Sequence, residues 1–547
     1  METTRTLTAA VIGVEGHLVE IDADIAEGLP ATILTGLPDT ALRETRDRVR
    51  AAIINSGERW PDSMITVGLR PAALPKRGSA YDLAIAIAIM AANGDLPAPP
   101  EGTMFVAELG LDGRLRPVPG VLPAALGAAG TEITMIVVAT SNQAEVVQVP
   151  GLTVIAADSL AEVAAWLRGG PAPRGHHPGP GPDDAPLTRQ PDLADVLGQA
   201  KARRALEICA AGGHHLSLLG TPGSGRTMLA ERLPTIMPPL DPAAALEVAS
   251  IHSVAGMLTP GTGLSTVPPF VAPHHTSSRA AMAGGGSGLI RPGAASLAHR
   301  GVLFLDQAPE FHRDVLDALR QPLESGKVVI ARAAAHATFP ARFTLLLAAS
   351  PCPCTATAVA QAGTGCRCSP AAQRRYLGRL SGPLLDRVSV KVSLQPVSRE
   401  GLPAGRASRE SSAAAAQRVA AARERSEARL AGTPWRLNAE IPGCQLRRAF
   451  PPASGSLRPL ERAMELGQVS ARGPDQIVGV AWTLADLAAR DQPGPDEINL
   501  AIELWLGETP QQVRVAAEAA RREAGRAWRI PEPPVVPTTL QSPGAHP

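Results

Sequence analysis

Nine consecutive residues have the types and spacing of a phosphate-binding loop. They follow a short apolar run and precede helix-forming residues, which is the strand, loop and helix order that such a loop requires. The glycines allow backbone N–H groups to turn toward phosphate oxygens, and a threonine hydroxyl stands where a Mg²⁺ ligand is expected. The residues predicted to contact the phosphates are Gly220, Thr221, Pro222, Gly223, Ser224, Gly225, Arg226, Thr227 and Met228.

Arg226 departs from the general form of this loop, which has lysine immediately before the serine or threonine. Arginine keeps the positive charge, but its guanidinium is longer, planar and fork-shaped. The lysine's point contact between the β- and γ-phosphates is therefore not reproduced. Taken alone, the stretch could also be a glycine-rich turn with a purely structural role.

A carboxylate at the end of another apolar run supports the phosphate-site interpretation. Residues 302–305 are apolar, and Asp306 follows them, where an aspartate supports Mg²⁺ in P-loop nucleotide-hydrolysing proteins. A further apolar run, residues 343–349, ends at Ser350. These features predict a P-loop core with a parallel sheet. We expect this core to bind ATP with Mg²⁺, and Thr227 and Asp306 to hold the metal.

Four cysteines form a second candidate site, with the pattern C-x-C, eleven residues and C-x-C. Four thiolates from two tight turns could enclose a structural Zn²⁺ in tetrahedral geometry. Reduced thiols that hold no metal are the alternative. The four candidate ligands are Cys352, Cys354, Cys366 and Cys368.

The elements that position these groups divide the chain into several parts, because 547 residues are too many for one core. Residues 1–170 alternate short β-type runs with helical stretches, which predicts a separate α/β domain. Residues 171–190 are rich in proline and glycine and are predicted to be a linker. Residues 529–547 form a proline-rich tail, which we expect to be disordered. The clearest predicted helices are residues 40–54, 81–92 and 160–168.

Composition excludes several classes of protein. The formal net charge is +1, so any contact with nucleic acid must be local, for example along the inside of a ring. The longest apolar run, residues 83–92, is about half of what spans a bilayer and predicts a buried helix. No secretory signal is apparent, and six cysteines in so long a chain do not form a disulfide scaffold. We therefore expect a cytoplasmic protein without membrane contact.

One loop of the first domain, residues 75–82, combines Lys76, Ser79 and Asp82. A Ser-Lys nucleophile pair is conceivable there, but the sequence offers neither an orienting partner nor an oxyanion hole. A structural role is the preferred interpretation of this loop.

With these motifs in place, the chain resembles the bacterial Mg-chelatase-like AAA+ ATPase family, the YifB/ComM family. The resemblance covers essentially residues 3–505. It implies an N-terminal Lon-protease-like (ChlI-type) α/β domain at 1–170, without an established protease role. It also implies a hexameric AAA+ core at 191–397 and a helical lid of the Mg-chelatase C-terminal type at 398–528. The matching words are VEGHLVEIDADIAEGLP, GLPDTALRETRDRVRAAIINSG, ELGLDGRLRPVPGVLPA, AGGHHLSLLG, APHHTSS, GGGS, SLAHRGVLFLD, PCPC, SGPLLDR, GTPWRLNAEIPG and VAWTLADLA.

Three positions of the ATPase core depart from the family pattern. The family has lysine at Arg226, glutamate at Gln307 after the Walker B aspartate, and usually a sensor asparagine at Ser350. A glutamate at position 307 would accept a proton from the attacking water, which an amide cannot do, although glutamine can still orient water. The resemblance therefore implies ATP binding with impaired hydrolysis.

The family's other nucleotide contacts match in part. Arg387 matches an arginine finger that reaches the γ-phosphate of a neighbouring subunit, although a structural salt bridge is the alternative. Arg472 is kept in the lid. Gln476 and Gly479 stand where the family usually has arginines, one of them a possible sensor contact to the γ-phosphate.

By resemblance, the protein is expected to form a homo-hexamer or another ring and to engage DNA. ComM-type members act in branch migration during natural transformation. Residues 273–287, with His274, His275, Arg279 and a glycine run, are predicted to form a polar hairpin that faces the pore. The alternatives are a nucleotide-gated scaffold or regulatory module without motor activity, and a magnesium-chelatase-type subunit.

Overall fold

Two large sheets organise the chain, one within residues 4–157 and one within residues 216–394. A computed structural model describes residues 4–36, 39–76, 78–175, 191–258, 264–286, 290–332, 335–354, 368–394 and 409–507. The predicted tail at 529–547, most of the linker and Cys366 lie outside these residues.

The N-terminal sheet has seven strands in the order β3-β4-β2-β1-β5-β8-β9. β2 pairs antiparallel with β1 and β4, whereas β1, β5, β8 and β9 run parallel to one another. A two-stranded ribbon, β6 and β7, stands beside it. The strands are β1 Thr4–Ile12, β2 Glu15–Ala26, β3 Ala31–Thr35, β4 Met64–Arg70, β5 Thr103–Val106, β6 Glu108–Leu109, β7 Leu115–Arg116, β8 Met135–Ala139 and β9 Thr153–Ala157.

Five helices accompany this sheet and confirm the three helices predicted from periodicity. The apolar run at 83–92 forms α2, which is buried from Asp82 to Met90 and packs on β1 and β2. Because alanines and isoleucines cover all its sides, no face of this helix needs to meet water. The helices are α1 Asp39–Asn55, α2 Asp82–Ala92, α3 Val121–Ala128, α4 Gln143–Val146 and α5 Leu160–Leu167.

The second sheet is entirely parallel, with the order β11-β14-β17-β10-β18. β10 enters the predicted phosphate loop, and the strands before Asp306 and Ser350 are present as predicted. Two antiparallel pairs, β12 with β13 and β15 with β16, lie outside this sheet. The strands are β10 Leu216–Gly220, β11 Phe270–Val271, β12 Gly284–Gly285, β13 Arg291–Pro292, β14 Val302–Leu305, β15 Lys327–Arg332, β16 Ala335–Pro340, β17 Thr344–Ala349 and β18 Val390–Leu394.

The described residues of this second part of the chain form ten α-helices. Capping side chains begin several of them: Asp241 accepts from the N–H of Ala244, and Ser369 accepts from that of Ala372. The helices are α6 Ala200–Gly212, α7 Arg226–Ala230, α8 Leu233–Ile236, α9 Pro242–Ala255, α10 Arg279–Ala283, α11 Ala294–Leu297, α12 Arg313–Asp317, α13 Arg320–Ser325, α14 Pro370–Leu377 and α15 Gly382–Leu385.

The C-terminal part is helical and packs against the core through α6. Arg418 pairs with the buried carboxylate of Glu207 on α6, which fixes the long helix α16 against the core. None of the described helices has both the length and the apolarity needed to cross a membrane. The helices are α16 Ser412–Leu430, α17 Gly443–Arg448, α18 Arg458–Glu465, α19 Gly473–Leu487 and α20 Pro495–Leu506.

Helix α9 joins the N-terminal part to the core. The backbone N–H of Gly120 donates to the carbonyl of Ser253 over 3.0 Å. The Ser253 hydroxyl donates to Glu145 over 2.7 Å, and burial raises the pKa of that carboxyl. Hydrogen bonds and apolar packing of α3 on α9 therefore connect the two parts.

Candidate functional site

The register of the second sheet places the predicted phosphate-site residues together at the carboxyl ends of its strands. Leu219 on β10 lies opposite Ala349 on β17, and Leu305 on β14 lies opposite Leu347. The residues that follow these strands therefore meet at the carboxyl ends of parallel strands, which is the usual ligand-binding edge of such sheets. The phosphate loop, Asp306 and Ser350 come together there, as the motif spacing predicted.

The loop has the backbone form that its glycines allow. Gly223 and Gly225 have φ angles of 80° and 91°, a left-handed conformation that disfavours other residues, and Gly225 directly precedes α7. Ser224 is buried, and its hydroxyl has no hydrogen-bond partner among the described residues. Its carbonyl accepts from Gln199 over 3.2 Å, a contact that motif spacing did not predict. Thr227 is exposed and thus accessible to a metal ion.

Arg226 turns toward the end of β17 and bonds a residue 124 positions away. Its Nη1 donates to the Ser350 hydroxyl over 3.1 Å. Burial lowers the pKa of the Arg226 guanidinium, and the nearby charges of Asp306 and Tyr376 partly offset this effect. The structure thus brings together two of the three core positions that depart from the family pattern.

Asp306 and Gln307 occupy the turn after β14. Gln307 has a φ of 51°, and its backbone N–H donates to the Asp306 carboxylate over 2.9 Å. The Gln307 side chain is exposed. The carboxylate of Asp306 is therefore oriented by its own turn, and the amide beside it is accessible to solvent.

A cluster behind this turn was missed by the sequence analysis. Arg379 lies 3.2 Å from Glu310, and its guanidinium carbon lies 5.8 Å from the centre of the Tyr376 ring. Burial raises the pKa of Tyr376 to about 12, with a further contribution from Glu310. Glu310 comes from the turn after Asp306, whereas Tyr376 and Arg379 come from α14 and the turn that follows it. Because these residues are distant in sequence, no motif indicated the cluster.

The predicted arginine finger, Arg387, lies at the opposite ends of the strands, where the parallel strands begin. Arg387 precedes β18, whose first residue, Val390, is paired with the first residue of β10, Leu216. At a rise of about 3.3 Å per residue, the strand separates Arg387 from the phosphate loop of its own chain by more than about 13 Å. Its guanidinium pairs with Glu324 and donates to the carbonyl of Pro383 over 2.5 Å.

Arg472 is close to Arg387 rather than to the phosphate loop of its own chain. Its Nη2 lies 3.8 Å from Glu324 Oε1, and its charge helps to lower the pKa of Arg387. Gln476 donates to the carbonyl of Asp386 over 2.9 Å. Glu324 also lines a cleft of about 770 Å³ at this amino edge, so this cleft is separate from the phosphate loop.

Three of the four predicted zinc ligands lie together. The sulfur atoms of Cys352, Cys354 and Cys368 are all within 4.8 Å of one another, and the first two are 3.4 Å apart. Tetrahedral thiolate ligands at about 2.3 Å from zinc stand about 3.8 Å apart, so the described donor set fits this metal. Cys366 lies outside the described residues.

The predicted polar hairpin at 273–287 is present only in part, because a helix occupies its middle. Residues 279–283 form helix α10, capped by Ser278, and the short strand β12 pairs with β13. A serine that satisfies the first turn of a helix, which the hairpin prediction neglected, explains the difference. Arg279 and His274 are exposed, and Ser287 lies outside the described residues.

In the described residues of the loop at 75–82, Ser79 and Lys76 bind different partners. Ser79 donates to Glu108, whereas the buried Lys76 donates to the carbonyls of Pro71 and Leu74. Asp82 pairs with Arg48 over 2.8 Å. These contacts support the structural interpretation of the loop.

Comparison with known proteins accounts for most of the chain. It matches the family descriptions "Subunit ChlI of Mg-chelatase" over residues 21–142, "Magnesium chelatase, subunit ChlI" over 192–402 and "Magnesium chelatase, subunit ChlI C-terminal" over 409–504. YifB of Escherichia coli is 42% identical over 492 residues, which are 88% of this chain and 93% of YifB. The chain belongs to the Mg-chelatase-like YifB/ComM family.

Two further relatives are similar to this chain over most of their length. An uncharacterized protein of Mycobacterium tuberculosis is 50% identical over 499 residues, which are 91% of this chain and 97% of the relative. Competence protein ComM of Haemophilus influenzae is 39% identical over 499 residues, which are 88% and 93% of the two chains. The Mg-chelatase-like family assignment agrees with the parallel core sheet and the C-terminal helices described above.

Proposed function

We propose that this chain binds ATP with Mg²⁺ at the carboxyl edge of its parallel sheet. The observation that carries the proposal is the convergence of the loop at 220–227, Asp306 and Ser350 at that edge. Backbone N–H groups of the loop would hold the phosphates. Thr227 and Asp306 would hold Mg²⁺, which supplies positive charge against the β- and γ-phosphates. The exposed position of Thr227 fits such a ligand.

Hydrolysis is impaired in this proposal because Gln307 cannot accept a proton from water. General-base assistance contributes about 10²–10⁴-fold in rate, which is roughly 3–5 kcal/mol of barrier. The exposed amide can still orient water, so some turnover remains.

Ring assembly and DNA engagement belong to the same proposal. Since Arg387 and the phosphate loop lie at opposite edges of one sheet, Arg387 serves only the nucleotide of another copy. Arg472 lies beside it and has the same restriction. DNA contact through Arg279 is supported by the exposure of that residue and by the competence-protein relative. A cytoplasmic location is proposed because ATP and chromosomal DNA are found there.

A second candidate function is a nucleotide-gated scaffold or regulatory module. It is favoured by the replacement of Lys, Glu and Asn by Arg226, Gln307 and Ser350 at three positions of one transition-state site. A magnesium-chelatase-type subunit is the third candidate and rests on the family descriptions alone. In all three, the cysteine cluster holds a structural Zn²⁺.

The deciding experiment measures ATP affinity and steady-state hydrolysis on the full chain and on Gln307→Glu. We expect a micromolar dissociation constant for both, about −8 kcal/mol, and turnover at least about tenfold higher in the variant. Gln307→Ala is the matched control and should bind ATP without this gain. Equal, fast hydrolysis by the native chain and the variant contradicts impaired hydrolysis. Failure of all three proteins to bind ATP contradicts the nucleotide site.

A further inference from the structure

The cysteine cluster, formed by Cys352, Cys354 and Cys368, begins at the same strand end as the proposed phosphate site. Ser350 directly follows β17, and Cys352 lies two residues further along the chain. Cys368 directly precedes Ser369, whose side chain caps α14. Because the three sulfur atoms lie within 4.8 Å of one another, the cluster joins the end of the middle strand of the core sheet to the beginning of α14.

Both of the joined elements carry side chains that lie close to Arg226. Ser350 accepts a hydrogen bond from Arg226 Nη1 over 3.1 Å. Tyr376, on α14, is near enough to Arg226 for each charge to shift the pKa of the other group. Arg379, in the turn after α14, lies 3.2 Å from Glu310. The position of the Arg226 guanidinium therefore depends on where α14 lies relative to the end of β17.

The beginning of α14 is weakly packed. Among the residues of this helix, all of which are described, Tyr376 is the one that is buried, whereas Ser369 and Pro370 at its start are exposed. The cap from Ser369 to Ala372 is a contact within the helix and does not attach it to the core. A helix of eight residues is marginal on its own. Cys352, in contrast, is buried in the core, so a metal ion bound by thiolates from both segments would strongly constrain α14.

We propose that Zn²⁺ bound at the cysteine cluster controls the affinity of the phosphate site for nucleotide. This inference rests on the proposed nucleotide site and names a regulator of it. With the metal bound, α14 is held at the end of β17, and Ser350 and Tyr376 fix the Arg226 guanidinium. Without the metal, α14 is released, and Arg226 has to be ordered when the phosphate binds, which lowers affinity. The loop at 220–225 carries none of the metal ligands, so nucleotide still binds, but more weakly.

The coupling between the two sites is reciprocal. If Zn²⁺ raises the affinity for ATP, then ATP must raise the affinity for Zn²⁺ by the same factor. A metal ion that stabilised only its own loop would leave both affinities independent. Measuring the two affinities therefore separates control of the nucleotide site from a purely structural role of the metal.

The test measures both sides of this coupling on the full chain in excess Mg²⁺. Calorimetric titration with ATP compares the native protein as purified, protein stripped of metal by a chelator that is then removed, and stripped protein reloaded with Zn²⁺. We expect the affinity for ATP to fall about tenfold on stripping and to return on reloading. In competition with a chromophoric chelator, Zn²⁺ should bind about tenfold more tightly when ATP is saturating.

Two cysteine exchanges are the matched variants. Cys368→Ser should bind ATP like the stripped protein and should not respond to added Zn²⁺. Cys444→Ser, on α17 and exposed, should behave like the native chain. Thermal unfolding without nucleotide reports whether each form folds. If the stripped chain unfolds, Co²⁺ replaces Zn²⁺ as the probe, and the thiolate-to-metal absorption of the folded, Co²⁺-loaded chain should change when ATP is added.

The outcomes distinguish this inference from the proposed function. If the metal-loaded native chain binds no ATP, the proposed function has failed and the control by metal fails with it. If that chain binds ATP and stripping changes the affinity by less than about twofold, the control by metal alone is disproved. A native chain that binds ATP but takes up no Zn²⁺, or a Co²⁺ spectrum that ATP leaves unchanged, disproves it as well.

Discussion

Arg387 and Glu324 form an ion pair at the amino edge of the core sheet, and the same Glu324 oxygen lies 3.8 Å from Arg472. One carboxylate therefore neutralises two arginines that resemblance predicts to contact a nucleotide. Arg320 adds a third positive charge near Arg387. A phosphate from another copy would have to compete with Glu324 for these arginines.

Removing that competitor should favour assembly. Glu324→Gln removes the charge but keeps the side chain's size, so less free energy is needed to free Arg387 for a phosphate. We expect the protein concentration of half-assembly in ATP to fall about threefold to tenfold. Analytical ultracentrifugation measures it, and Glu461→Gln, an exposed exchange on α18, is the control. An unchanged midpoint would show that Glu324 does not restrain Arg387.

The cysteine cluster should contain metal. Protein purified without chelator is expected to carry about one zinc per chain, because three described thiols and Cys366 complete a four-thiolate set. Cys352→Ser or Cys368→Ser should release it, as measured by mass spectrometry of the metal. Cys444→Ser, at the start of α17, is the matched control and should retain zinc. Metal-free native protein of equal stability would contradict the zinc site.

DNA binding, where it occurs, should depend on salt and on Arg279. Loss of a phosphate contact reduces the number of counterions that are released when the protein binds DNA. Arg279→Ala should therefore lower the affinity for all DNA sequences alike and reduce the slope of log affinity against log salt by about one. Fluorescence anisotropy with a duplex at several salt concentrations measures both. Arg313→Ala, an exposed arginine on α12, is the control. Equal effects of the two exchanges would show that Arg279 has no special role.

Two histidines of the core, the buried His214 and the half-buried His215, should make the core acid-sensitive. Burial lowers the pKa of His215 from its ordinary 6.5 to about 4, with a further contribution from Arg387, and lowers that of His214 to about 3. The folded chain binds fewer protons than the unfolded chain below pH 6.5. Stability is therefore complete above pH 6.5 and is lost as the pH falls toward 4, by about 3 kcal/mol for His215.

An asparagine at position 215 should weaken this pH dependence. His215 Nδ1 accepts from the backbone N–H of Leu345 over 3.0 Å, and an asparagine oxygen can accept the same bond without titrating. Urea unfolding between pH 7.5 and 4.5 should show a shallower loss for His215→Asn than for the native chain. The exposed exchange His312→Asn should follow the native curve. Parallel curves for all three proteins would contradict the assignment.

Local patterns predicted much of the fold and of the phosphate site. Continuous apolar runs identified α2, β14 and β17, since each is buried on all sides. Strand β2 gives a weaker signal, because the buried residues Val19 and Ile21 alternate with polar positions, and Asp22 and Asp24 follow in the same strand. A period of two within a charged stretch is a weaker signal than an apolar run.

The contacts that join distant residues could not be predicted from the sequence. The bond from Arg226 to Ser350 spans 124 positions and depends on the register of β10 with β17. Likewise, the placement of Arg387 depends on β18 running parallel beside β10. Spacing identifies which strand a residue follows, but only the sheet order determines which residues become neighbours.

The placement of Arg387 and the phosphate loop at opposite edges of one sheet has a consequence for mixtures of chains. In the proposed assembly, a single chain supplies one half of each of two sites. Any activity that needs both halves should then rise more steeply than in proportion to total protein and be lost on dilution. A copy without Arg387 still accepts a neighbour's arginine while giving none. Each such copy, when added to native protein, would inactivate one site shared with a neighbour. The residual activity would then be proportional to the number of intact shared sites.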